Sequence, residues 1–233
     1  ESLPVHLLGN MWGQSWSNIY DLVYPSSTET SSVNVTKIIE EKNISEIEMV
    51  EYAEDFFLSM GFEPLPSTFW ERSLFVKPQD RSVVCHASAW NLDPAKNDLR
   101  IKMCIEKNEE DFITIHHELG HIFYYQAYNH LPTLFQGGAN DGFHEAFGDL
   151  LTLSITPDYL KNIGFISEVE AEEVKEDAIG LLMKQALEGV VVVPWALMLD
   201  KWRAGVFNGE TGQDELNKSW WDLRESYQGI KPP

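Results

Sequence analysis

The chain has 233 residues, 43% of them hydrophobic and 12% aromatic. That is enough for one large buried core or two smaller ones and excludes a disordered chain. Its 37 Asp and Glu against 17 Lys and Arg give a formal net charge of -20, which excludes nucleic acid as a partner, because phosphate binding needs a basic surface. An acidic surface keeps a protein soluble and also attracts basic peptides.

In chain order, Leu7, Leu8, Met11, Trp12, Trp16 and Ile19 recur at helical spacing and predict an amphipathic helix over 3–22. The Ser/Thr-rich run 25–32 reads as a loop. A second helix fits 45–60, with Ile47, Val50, Phe57 and Met60 inward and Gly61 as its stop. Prolines 64, 66 and 78 leave room for one helical turn near Phe69 and Trp70. Residues 83–90 and 99–105 read as two strands joined by a turn through Asp93-Pro94 and Asn97-Asp98. Helices follow at 109–128, 140–154, 168–187, 194–207 and 213–227. The fold class is therefore mainly α with one small β-hairpin. The apolar run from Gly189 to Leu199 is too short to cross a bilayer, contains Pro194, and reads as a helix start or a core segment, so no membrane span is expected. The chain starts at Glu1 without an initiator Met or signal-peptide pattern and is read as a mature or excised segment.

The two cysteines, Cys85 and Cys104, sit in no metal-binding spacing, which leaves one disulfide or two buried thiols. Pairing the two strands as a hairpin would bring them opposite each other and favours the disulfide. Asn34, Asn43 and Asn217 each open an Asn-x-Ser/Thr triplet, permissive for glycosylation in a secreted protein.

The chemistry concentrates in His117-Glu118-Leu119-Gly120-His121. Two histidines four apart project from one face of a helix, so both imidazoles can reach one ion. Zinc accepts neutral imidazole nitrogen and takes few ligands in a tetrahedral shell. Glu118, beside the first histidine, is placed to take a proton from an attacking water. Phe112, Ile115, Leu119 and Ile122 supply the apolar stripe that buries such a helix. The alternative is a core helix that happens to carry two His and a Glu. Downstream, Gly142-Phe143-His144-Glu145-Ala146-Phe147-Gly148-Asp149 weighs against it, because Glu145 and Asp149 share a helix face. One of the two can then complete the ligand set while the other holds a ligand histidine by its far nitrogen. Three protein ligands leave a fourth position open, the mark of a catalytic site. His116 and His144 flank the motifs as structural or ligand-supporting residues.

These stretches, with Leu7-Leu8-Gly9-Asn10-Met11-Trp12, Val84-Cys85-His86-Ala87-Ser88-Ala89-Trp90, Gly138-Ala139-Asn140 and Tyr227-Gln228-Gly229, resemble the angiotensin-converting enzyme family of zinc peptidyl-dipeptidases. The resemblance implies a largely helical, two-lobed zincin-type peptidase with a deep cleft, zinc on its wall and chloride as an activator. By it, residues 1–233 are part of a single catalytic domain, incomplete at both ends. It implies His117, His121 and Glu145 as zinc ligands, Glu118 as base and Asp149 as the supporting carboxylate. It further implies that His86, Ala87 and Ala89 bind extended substrate as an added strand, and that Gln14 helps hold the substrate's C-terminal carboxylate. A relative that removes single residues carries Arg at that position, so Gln14 favours dipeptide release from oligopeptide substrates. Trp220 and Arg224 match part of a chloride site, with plain core packing the alternative for Trp220. The family's disulfide falls on Cys85 and Cys104, which implies an oxidising compartment, extracellular or periplasmic.

The departures are as informative. The family's oxyanion-stabilising His and Tyr, and a Lys and Tyr on the substrate carboxylate, have no counterpart up to Pro233. Gly189 stands where animal members have Lys, and Val192 where they have Phe. The expectation is that the chain alone binds zinc and cleaves weakly or not at all. The competing outcomes are a carboxypeptidase releasing one residue and a non-catalytic binding relative.

Overall fold

The computed structural model describes residues 2–8, 12–24, 33–176 and 178–233. The expected loop 25–32 and the Gly9-Asn10-Met11 part of the N-terminal motif lie outside them. Contacts divide the chain into two compact units, one formed by 1–31 with 175–233 and the other by 32–174.

The helix expected over 3–22 does not form. A two-residue strand β1 (Leu3–Pro4) leads into a 3-10 turn, and a short helix α1 (Tyr20–Val23) follows only after an irregular stretch. Gly13 explains the break: its φ is +62°, and a Cβ there would come within 2.7 Å of Ile230 Cδ1. The apolar spacing does not mark a buried face, since Leu7 is 65% exposed.

The second unit begins with α2 (Val35–Glu41) and α3 (Glu46–Ser59). Helix α3 starts on a capping box in which Ser45 Oγ accepts from the Glu48 N–H while the Glu48 carboxylate accepts from the Ser45 N–H. After α4 (Ser67–Arg72) come β2 (Ser88–Asp93) and β3 (Asp98–Lys102), which pair antiparallel with Ala89 opposite Ile101. The first strand is thus five residues later than expected at its start. Residues 83–87 are tied instead by the Cys85–Cys104 disulfide and by Lys102 Nζ donating to the Val84 carbonyl. The other edge of β3 is taken by Leu74, which leaves β2 as the outer strand among the described residues.

Helix α5 (Glu109–Asn129) is the spine of this unit. Asn108 caps it by accepting from the Asp111 N–H, and Glu109, Glu110 and Asp111 complement the positive end of its dipole. Its stripe of Phe112, Ile115, Leu119 and Ile122 is fully buried, with Phe123 stacked 4.2 Å from Phe57 of α3. Then come α6 (Asp141–Thr152), capped by Asn140, α7 (Pro157–Asn162) and α8 (Glu168–Glu176).

In the first unit, α9 (Ala178–Phe207) runs as one helix through Pro194, where a separate helix from 194 was expected. Proline removes one backbone donor and crowds the preceding turn, yet the helix continues through it. Within it, Leu182–Phe207 is long and apolar enough, by length and composition only, to cross a membrane, a longer run than the Gly189–Leu199 stretch. That stretch is not the buried segment expected: Val191 and Met198 are buried while Val190 and Val193 are mostly exposed. Helix α9 packs along α10 (Leu216–Gln228), and β4 (Ile230–Lys231) pairs parallel with β1.

The Cys85–Cys104 bond closes the open end of the hairpin across 19 positions. On loop-closure grounds its loss removes about 3 kcal/mol of stability. Urea denaturation of the Cys85→Ala/Cys104→Ala variant should show that deficit, and a variant as stable as the parent would mean the bond constrains little.

Candidate metal centre

His117 and His121 lie one turn apart on α5 and turn toward Glu145, presented by α6. His117 Nε2 is 3.2 Å from Glu145 Oε2, His121 Nε2 is 3.1 Å from His117 Nε2, and His121 Nε2 is 3.6 Å from Glu145 Oε2. A tetrahedral ion with bonds of about 2.0–2.1 Å sets its ligand atoms about 3.3–3.4 Å apart. The three donors therefore form the face of such a tetrahedron, and His117, His121 and Glu145 could hold a metal ion. His117 Nδ1 is 3.0 Å from Asp149 Oδ1, which places its proton on Nδ1 and a lone pair on Nε2. Lone pairs thus converge on one point, an arrangement a cation relieves. Burial holds His121 below the ordinary imidazole value, against the opposing pull of Glu145.

Glycine makes this approach possible. A Cβ on Gly120 would come within 3.1 Å of Gly148 Cα, and one on Gly148 within 2.8 Å of the His117 ring. With no side chains at the crossing, α5 and α6 pack closely enough for Glu145 and Asp149 to reach His117 on either side.

Glu118 lies on the same helix and is buried, and its Oε2 has no hydrogen-bond partner among the described residues. Burial, the largest cause, pushes its carboxyl up to about 7; His117 opposes the rise and Glu145 adds to it. A carboxylate poised near neutrality suits a general base.

The flanking histidines differ. His116 is fully buried on the far side of α5, its Nδ1–H donating to the Phe112 carbonyl and its Nε2 accepting from Tyr159 Oη. Burial pushes it down to about 4 and keeps it neutral. His144 faces the site, with its Nδ1 2.7 Å from His121 Nδ1, a contact its flanking position did not specify. Gly148 was also missed; the available signal was a small residue on the α6 face that carries Glu145.

Of the other expected site residues, Ala89 lies on the outer strand β2, where its carbonyl accepts from Tyr125 Oη of α5. Ala87 is half-buried and His86 exposed just ahead of that strand. Gln14, Trp220 and Arg224 belong to the other unit. Gln14 is half-buried in the irregular stretch before α1. Arg224 is fully buried, donates to the Trp12 carbonyl, and has the rings of Trp195, Trp220 and Trp221 within 6.0 Å of its guanidinium.

Residues 1–233 match the family model described as angiotensin-converting enzyme. The chain belongs to the angiotensin-converting enzyme family. It is 46% identical over 233 residues to angiotensin-converting enzyme of Bos taurus, 43% to that of Haematobia irritans exigua and, over 232 residues, 41% to that of Theromyzon tessulatum. Each alignment covers 99% of this chain but 18%, 38% and 37% of the respective relatives. The chain thus spans under two fifths of the family members it matches.

Two outcomes follow from this geometry. A carboxyl raised in the folded state contributes stability that is present below its ordinary value and lost as pH rises through the folded one. Glu118 therefore costs the metal-free protein about 3 kcal/mol between pH 4.5 and values above 7. In chelated protein, Glu118→Gln should match the parent near pH 4.5 and exceed it in urea resistance at pH 8; equal stability at both would contradict the burial argument. Gly148→Ala should fold but displace the His117 ring, and its zinc affinity by chelator competition should fall about tenfold or more. Unchanged affinity would show that the ring has room to move.

Proposed function

We propose that these residues form part of a single catalytic domain of a zinc peptidyl-dipeptidase, which releases dipeptides from the C-terminus of oligopeptides. The observation that carries this reading is the triangle of His117, His121 and Glu145 donors with the buried Glu118 carboxylate beside it. Family membership supports the same chemistry. Zinc, when bound, polarises the scissile carbonyl and acidifies water. Glu118 takes the proton of the attacking water as the oxygen adds to the carbonyl carbon. It then delivers that proton to the leaving nitrogen as the C–N bond breaks. Asp149 holds His117 in the tautomer that leaves Nε2 free for the ion.

Extended substrate adds as a strand along His86 and Ala87, just ahead of β2, and Ala89 at its start, the backbone mode that suits unfolded peptides. Gln14 assists the substrate carboxylate and so favours dipeptide over single-residue release. Trp220 and Arg224 contribute part of a chloride site, in which an anion would balance a buried guanidinium held among aromatic rings. The disulfide supports an extracellular or periplasmic location.

The test is zinc content with product mapping on a blocked tripeptide, using the full-length protein that carries this chain. About one zinc per site and a released dipeptide are expected, and Glu118→Gln should keep the zinc while lowering kcat by a factor of about 10² to 10⁴. A single amino acid as product would favour the carboxypeptidase reading, and no zinc would return the chain to a binding role. The 233-residue chain alone should bind zinc and turn over weakly, since no oxyanion donor is assigned within it; losing one such donor costs a factor of about 10² to 10³. Strong turnover would contradict that assignment.

A further inference from the structure

We propose that His144 is a positioning residue that fixes His121 in the tautomer able to bind the ion; the inference rests on the zinc-site reading above. His121 turns Nε2 toward His117 Nε2 and Glu145 Oε2, at 3.1 and 3.6 Å, so Nε2 is its ligand atom and needs a lone pair. A neutral imidazole carries one proton, which then sits on Nδ1. At 2.7 Å from His144 Nδ1, that proton is donated and His144 accepts it. The proton of His144 is left on Nε2, 3.4 Å from Tyr128 Oη. A chain of contacts therefore runs from Tyr128 through His144 and His121 to the ion position.

The two ligand histidines are thus oriented by different chemistry. His117 is held by the Asp149 carboxylate and His121 by a neutral ring, and both partners come from α6 together with Glu145. A second supporting carboxylate in place of His144 would add negative charge beside Glu118 and Glu145. The His144 ring is itself confined, with the Tyr124 and Tyr125 rings 4.7 and 4.8 Å away. On another side is Gly138, where a Cβ would come within 3.0 Å of His144 Cδ2.

The experiment compares His144→Phe, which keeps an aromatic ring but no acceptor, with His144→Asn, whose amide oxygen can accept near the Nδ1 position. His144→Leu, shorter than the native ring, repeats the first comparison with less reach toward Gly138. In the full-length protein, zinc affinity is measured by chelator competition, the cobalt-substituted absorption spectrum reports ligand geometry, and circular dichroism reports folding. The Phe and Leu variants should bind zinc about 10- to 100-fold more weakly with an altered cobalt spectrum, while Asn stays within about threefold of the parent. Parent-like zinc affinity in the Phe and Leu variants, or an Asn variant as weak as they are, overturns the proposal. A parent that binds no zinc instead overturns the zinc-site reading on which it rests.

Discussion

The site depends on the close crossing of α5 and α6 at Gly120 and Gly148, where neither helix has a side chain to hold them apart. Helix α5 can present two imidazoles on one face, but an ion between them lacks a carboxylate until α6 comes within a few ångströms. The crossing supplies it and sets the His117 ring directly over Gly148. One side of that ring then meets Asp149 and the other meets Glu145. The remaining ligand, His121, meets His144 from the same helix. The six-residue span His144–Asp149 thereby brings Glu145, His144 and Asp149 to the two histidines of α5.

Burial does the second part of the work. The apolar stripe of α5 fixes the helix in the core, and that position places Glu118 where water cannot fully solvate its charge. The carboxyl rises toward neutrality for the same reason that His116, on the far face, falls to about 4. Desolvation penalises whichever form is charged, so one helix carries a carboxyl raised toward neutrality on one side and an imidazole lowered well below its ordinary value on the other. Glu145 and Asp149, by contrast, stay largely exposed.

The local parts of this arrangement were legible in the sequence. The His-Glu-x-x-His spacing and the Glu145/Asp149 pairing both depend on helix periodicity within a few residues. The expected bounds of α5 and α6 accordingly differ from the observed ones by at most two residues. The N-terminal helix was misread because its outcome depends on Gly13 meeting Ile230, more than two hundred residues away. The first hairpin strand was misplaced because its register is set by the partner strand and the disulfide. The helix through Pro194 was divided because proline lowers helix propensity locally, whereas the observed helix continues through it.

The sequence by itself determined the chemical inventory: two histidines on one helical face, a glutamate beside them, two carboxylates on the next helix, two cysteines and an acidic surface. Tertiary structure decided which nitrogen each histidine turns toward Glu145, that His144 meets His121, and that Glu118 is buried enough for its carboxyl to rise to about 7. Side-chain direction and solvation depend on what packs across a helix face, and no spacing along the chain encodes that neighbour.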